Sequence, residues 1–209
     1  MDTDMALTQD LCARLCHDLV GPLGTVIGAI DMLGEDAEAA ELAREAAAEM
    51  RRRLKFWRAA CGGGTGTMAV SELAGLLEGM LAGGRARLAL EGLPLEEELP
   101  AALAQLLLVS AMLAGEALPR GGTVRLARVG KGMDLLPEGR SVAWPPCLVE
   151  ALAGASAGAP VGAPIEVGAA GGGPRAVLAA MLPRLALSAG WRVALALEAA
   201  VPALRLRTG

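Results

Sequence analysis

His17 is the only histidine in 209 residues, and it stands in the string Cys16-His17-Asp18-Leu19-Val20-Gly21-Pro22-Leu23. An imidazole, with an unperturbed pKa of about 6.5, is largely neutral and nucleophilic near pH 7, so it can form a covalent adduct or move a proton. The next residue is an acid. Asp18 can orient the ring or accept its proton, although consecutive helical positions point about 100° apart and do not share a face. On a helix the neighbours of His17 at i−4, i−3, i+4 and i+7 are Ala13, Arg14, Gly21 and Gly24. Three of these are almost free of side chain, and each helical glycine costs roughly 1 kcal/mol against alanine. A bare collar around an exposed histidine is expected to admit a docking protein that brings an acidic pocket within bonding distance.

The elements that position this residue follow from periodicity. From Cys12 the apolar positions run Cys12, Cys16, Leu19, Leu23, Val26, Ile30 and Leu33, a coiled-coil-like seam in alternating steps of four and three. After a break at Gly34-Glu35-Asp36 a second helix is predicted, with Ala39, Ala43, Ala46, Met50, Leu54, Trp57 and Cys61 on one face. Two antiparallel helices with one narrow seam each leave apolar surface uncovered, and a homodimeric four-helix bundle is the expected way to close it. A hairpin folded about Glu35 sets residue 17 across from residue 53, because both helices rise ~1.5 Å per residue. That end carries Arg51, Arg52, Arg53, Lys55 and Arg58, whereas Glu38, Glu41, Glu45 and Glu49 lie toward the turn. His17, Asp18 and Arg14 form the expected reactive group. Ala13, Gly21, Gly24, Arg51, Arg52 and Lys55 are the expected docking residues for an acidic partner, although the same charges also suit a solvated helix face.

The string Cys61-Gly62-Gly63-Gly64-Thr65-Gly66-Thr67 lacks the spacing and the lysine of a phosphate loop and reads as a linker. The predicted organisation is a helical hairpin over 1–61, a Gly-rich linker over 62–69 and a second domain over 70–209. In that domain helices are expected at Val70–Leu81, Pro100–Leu118, Pro146–Ala153 and Arg175–Ala189, the last kinked or split by Pro183. Strands are expected at Ala86–Leu90, Thr123–Val129, Gly132–Leu136, Ile165–Val167, Trp191–Leu197 and Ala203–Leu206, with an Ala/Gly/Pro loop over Gly154–Pro164. The fold class is α+β, with helices over one face of a mixed sheet.

Composition narrows the chemistry further. A net charge of −4 gives no reason to expect nucleic acid as a partner. The apolar stretch from Leu99 to Gly115 carries Pro100 and Gln105 and is short for a membrane span, so a buried helix is expected. Met1-Asp2-Thr3-Asp4 is acidic and no apolar run follows, so a secretory signal is not expected and a cytoplasmic location is. Cys12, Cys16, Cys61 and Cys147 include no CxxC pair, and Cys16 and His17 point apart on a helix. No metal site is expected from them.

Residues 7–61, on the His-Asp pair and the Pro-Leu that follows at fixed offset, resemble the dimerisation and phosphotransfer hairpin of two-component histidine kinases. Residues 70–207 resemble the kinases' ATP-binding domain in outline. In those kinases an Asn on the long helix helps to hold Mg²⁺ and an Asp in a D-x-G-x-G string reads adenine. This chain contains no Asn, and its only Asp after residue 36 is Asp134, followed by Leu135-Leu136. Gly171-Gly172-Gly173-Pro174 is only faintly similar to the second glycine box. A kinase-like dimer without ATP binding resembles the ChpT-type histidine phosphotransferases of phosphorelays. The strings from Arg14 to Gly24 and Glu116-Ala117-Leu118-Pro119-Arg120-Gly121-Gly122-Thr123 carry that match. The resemblance implies that His17 takes a phosphoryl group from an aspartyl-phosphate on the receiver domain of a hybrid histidine kinase and passes it to a response-regulator aspartate. It also implies no cofactor, Mg²⁺ being supplied by the receiver. Two other readings stay open: a non-enzymatic dimeric adaptor that binds receivers, and an ATP-dependent histidine kinase.

Overall fold

The computed structural model describes residues 3–34, 36, 38–63, 65–81, 83, 85–156, 173–197 and 202–209. The chain is α+β. Helices α1 (Thr3–Asp31) and α2 (Ala39–Ala60) form the hairpin. Small residues at the contact, Ala29 on α1 with Ala39 and Ala46 on α2, are buried and let the two helices approach closely. At the turn the Asp36 carboxylate accepts from the backbone N–H of Glu38 at 2.8 Å, a local turn contact just before α2.

The body follows with β1 (Thr67–Ala69), α3 (Val70–Leu81), β2 (Ala86–Glu91), β3 (Glu98–Pro100), α4 (Ala101–Glu116), β4 (Gly122–Val129) and β5 (Gly132–Glu138). It is completed by α5 (Pro146–Ser156), α6 (Val177–Ser188), β6 (Trp191–Ala196) and β7 (Ala203–Thr208). The five-stranded sheet has the order β2-β4-β5-β7-β6, with β2 and β4 parallel and the other neighbours antiparallel. Its inner face, formed by Val124, Leu126, Met133, Leu135, Leu204 and Leu206, is buried, and Arg125, Glu138, Arg205 and Arg207 occupy the other face in alternation. Between Arg85 and Glu138 the chain passes Gly122 at φ +149°. A Cβ there would lie 2.2 Å from the Glu138 carbonyl oxygen, so only glycine fits.

Helix α4 is the axis of the core, with every residue from Leu103 to Ala114 buried. The root of α2 belongs to the same cluster through Phe56, Trp57 and Ala60, and Leu7, Leu11 and Leu15 of α1 pack against it. The buried Gln105 side chain donates to the carbonyls of Ala60 at 2.8 Å and Gly62 at 2.9 Å. These bonds satisfy the C-terminal end of α2 and tie the hairpin to the body.

Several expectations change. Of the α1 seam, Cys12, Cys16, Leu23, Ile30 and Leu33 are exposed, whereas Leu19 and Val26 are half-buried. The exposed apolar stripe includes Leu23 and Ile30 of that seam and widens to Val20 and Ile27 beside them. Pro183 neither ends nor divides α6, which continues from Val177 to Ser188 with the proline ring buried. Strands β1 and β3 were not predicted, since three residues cannot display alternation, and β1 lies inside the stretch read as a linker. The strand expected at 165–167 and the loop before it lie outside the described residues, except for 154–156 at the end of α5. No helix among the described residues is long and apolar enough to cross a membrane.

Candidate functional site

The site is built on the middle of α1. His17 projects outward, its side chain 78% exposed, while Asp18 points inward and is only 12% exposed. The two nevertheless meet: His17 Nδ1 lies 3.3 Å from Asp18 Oδ1. A carboxylate can only accept, so this contact is a hydrogen bond when the ring carries its proton on Nδ1, which leaves the Nε2 lone pair facing solvent.

Asp18 is held by donors from two helices. Trp57 of α2 is buried, and its indole Nε1–H donates to Asp18 Oδ2 at 3.2 Å. Arg14, one turn before Asp18, places Nε 3.3 Å from Oδ1 and 3.4 Å from Oδ2. Arg14 also reaches the body: Nη2 donates to Glu116 Oε1 at 2.9 Å, and Nη1 to the Pro174 carbonyl at 3.5 Å. Burial pushes the Arg14 guanidinium down, but its hydrogen bonds and charge interactions with Glu116 and Asp18 outweigh burial and hold its proton more firmly than usual. Burial raises Glu116 above the ordinary carboxylate range, and Arg14 offsets part of that rise.

Pro22 has a local consequence here. Lacking an N–H, it cannot bond to the carbonyl four residues earlier, which is that of Asp18. Arg53 of α2 supplies the missing donor, its Nη1 bonding to the Asp18 carbonyl while Nη2 pairs with Glu49. The expected register of residue 53 against the histidine end of α1 is therefore present, with a defined contact. A cleft of about 350 Å³ opens beside the group, lined among others by Arg14, Asp18, Arg53, Met112, Glu116 and Leu118.

The other predicted residues fall into two sets. Ala13, Gly21 and Gly24 are exposed around His17, and a Cβ at either glycine would meet no atom within 4 Å. Arg51, Arg52 and Lys55 are all exposed on α2, and the stem of Arg52 runs against Gly79 of α3. Arg14, the i−3 neighbour of His17, has its guanidinium engaged by Asp18 and Glu116. Trp57 and Glu116 were missed as site residues. Trp57 reads as one more apolar seam position, and no local spacing connects Glu116 with α1. Among the described residues no group of three His, Cys, Asp or Glu side chains could hold a metal. The arrangement provides an accessible, oriented nucleophilic nitrogen with an acid on its far side and open approach from solvent.

Comparison with known proteins places the chain among phosphotransferases in sequence and fold. A family model described as the histidine phosphotransferase C-terminal domain matches residues 70–201. Protein phosphotransferase ChpT of Brucella abortus (strain 2308) is 28% identical over 156 residues, covering 70% of this chain and 74% of that protein. A solved structure of a bacterial phosphotransferase superposes with a TM-score of 0.76 at 23% identity, over 97% of this chain and 96% of the other, and so shares the fold.

Proposed function

The chain belongs to the family defined by the histidine phosphotransferase C-terminal domain, and on that premise we propose that His17 accepts a phosphoryl group from a receiver-domain aspartyl-phosphate and passes it to a response-regulator aspartate. The observation that carries this reading is the exposed imidazole with Asp18 on Nδ1, which turns Nε2 outward toward an incoming phosphorus. Transfer then depends mainly on positioning and charge stabilisation. The open collar of Ala13, Gly21 and Gly24 gives a receiver room to approach, and the exposed cations Arg51 and Lys55 attract its acidic pocket. Mg²⁺ belongs to the receiver in this scheme, and the reaction takes place in the cytoplasm.

ATP is not the donor in this reading. Asp134, the only aspartate after residue 36, sits on β5 and is paired with Arg207 of β7 rather than free to read a base. Gln105 of the long helix is used to hold the end of α2. The active form is a homodimer in which the exposed stripe Val20, Leu23, Ile27 and Ile30 packs into a four-helix bundle with a second copy.

The test is phosphoryl transfer from a phosphorylated receiver onto the wild type and His17→Ala, with ATP absent. Acid-labile label on the wild type alone is the expected result. Label on both proteins rules out His17 as acceptor. Label on neither, with receiver binding intact, makes the protein an adaptor.

A further inference from the structure

We propose that Glu116, at the end of α4 in the body, is a positioning residue for the His17 imidazole, acting through Arg14 and Asp18. The inference rests on the phosphoryl-acceptor reading above. Asp18 has two oxygens and three donors around them. Trp57 Nε1 and Arg14 Nε address Oδ2, and Oδ1 is shared between Arg14 Nε and His17 Nδ1, each at 3.3 Å. The share of Oδ1 left to the ring therefore depends on what else binds Arg14. Its 2.9 Å bond to Glu116 is shorter than its contacts with Asp18 or Pro174, so Glu116 draws the guanidinium toward α4.

Charge points the same way. The side chains of Arg14 and Asp18 are 13% and 12% exposed, so their fields are weakly screened. Arg14, Asp18 and Glu116 together carry one net negative charge behind Nδ1. The other charged groups facing this cluster are Arg53, already paired with Glu49 on α2, and Arg175, which acts on Glu116. Without Glu116 the charge of Arg14 falls on Asp18 alone and cancels it.

The consequence for transfer follows from the electron count. The Nε2–P bond forms as the P–O bond of the aspartyl-phosphate breaks, and the electron pair leaves with the receiver's carboxylate. The ring keeps its Nδ1 proton and becomes cationic. A negative Asp18 at Nδ1 stabilises that cation and beforehand selects the tautomer whose Nε2 is free to attack.

A single histidine makes the test direct, because labelling histidine with heavy nitrogen reports one imidazole by NMR. At about pH 9, above the usual imidazole range, the wild type should hold the ring mainly as the Nδ1–H tautomer. Glu116→Gln keeps the shape without the charge and should shift the ring toward Nε2–H. Glu116→Asp keeps the charge and should return part of the Nδ1–H population. Trp57→Phe, which removes the indole donor and leaves Oδ2 to Arg14, should keep or increase the Nδ1–H population, the opposite direction to Glu116→Gln. In single-turnover transfer Glu116→Gln should be about three- to tenfold slower with receiver affinity unchanged. A wild-type ring that is mainly Nε2–H, or a Glu116→Gln ring unchanged from wild type, overturns the proposal. Equal loss in Glu116→Asp also overturns it, since the contact is then one of packing and not of charge. The tautomer measurement needs no receiver, so a wild type that accepts no phosphoryl group defeats the reading of function and leaves this test standing.

Discussion

Replacing Gly21 by alanine and, separately, by leucine sets stability against transfer. Helix α1 contains Gly21, Gly24 and Gly28, and a Cβ at any of them meets no atom within 4 Å. With no clash to subtract, helix propensity alone makes Gly21→Ala worth about 1 kcal/mol. For a chain of this size that raises the melting temperature by about 2–4 °C. The same methyl stands one turn from an imidazole that is 78% exposed, on the side a receiver must approach. Gly21→Leu starts from the same open Cβ position but fills the collar. Reacting atoms must come within ~3–3.5 Å, and a displacement of about 1 Å costs on the order of a hundredfold in rate. The expected outcome is that both variants melt at or above the wild type, that Gly21→Ala still accepts phosphoryl groups, and that Gly21→Leu loses about two orders of magnitude. Circular dichroism melts and single-turnover transfer from a phosphorylated receiver read the two effects separately. Wild-type transfer by Gly21→Leu would falsify the collar argument, and a lower melting temperature for Gly21→Ala would show that the glycine serves the fold.

Ile27 is 53% exposed in the stripe with Val20, Leu23 and Ile30, so burying its remainder against a second copy is worth about 1 kcal/mol. A dimer made of Ile27→Glu chains loses that twice and must also bury two carboxylates. Its dissociation constant should therefore rise at least about a hundredfold by sedimentation equilibrium. A variant that stays dimeric, or a wild type that sediments as a monomer, contradicts the bundle. Cys12 and Cys16 are exposed, whereas burial pushes the Cys61 thiol up to about 11. Only about one in a thousand Cys61 thiols is then ionised near pH 8, so a maleimide should modify Cys12 and Cys16 first, as mass spectrometry will show. Uniform labelling contradicts the assignment. Because this value is raised from 9.0, the contribution of Cys61 to stability is complete below pH 9.0 and disappears as the pH climbs through about 11. Cys61→Ala should flatten that alkaline limb of the stability curve.

The hairpin, all five strands of the five-stranded sheet and the long central helix are legible in the chain because they rest on local periodicity. Apolar residues at helical spacing, alternation along Thr123–Val129 and Ala203–Leu206, and glycine at the breaks each need a window of only a few residues. The height of the arginine block against His17 is legible for the same reason, since rise per residue and the position of one turn suffice. Pro22 is visible in the sequence as well, but its consequence is not. The carbonyl it leaves open is filled by Arg53, 35 residues away.

The remaining features of the site come from packing. Spacing sets Arg14 one turn from His17, and packing pairs it with Glu116, 102 residues further on. Trp57 has the pattern of a seam residue and becomes the donor to Asp18 because the root of α2 is pressed into the core beneath α1. Local propensities act over a turn or two of chain. The partner of a buried charge is selected by which helix ends meet once the core has closed, and burial then makes an unpaired charge too costly to leave. An exposed histidine beside an acid is therefore readable from residues 17 and 18 alone, while the side chains that hold that acid in place are set by the docking of the hairpin on α4.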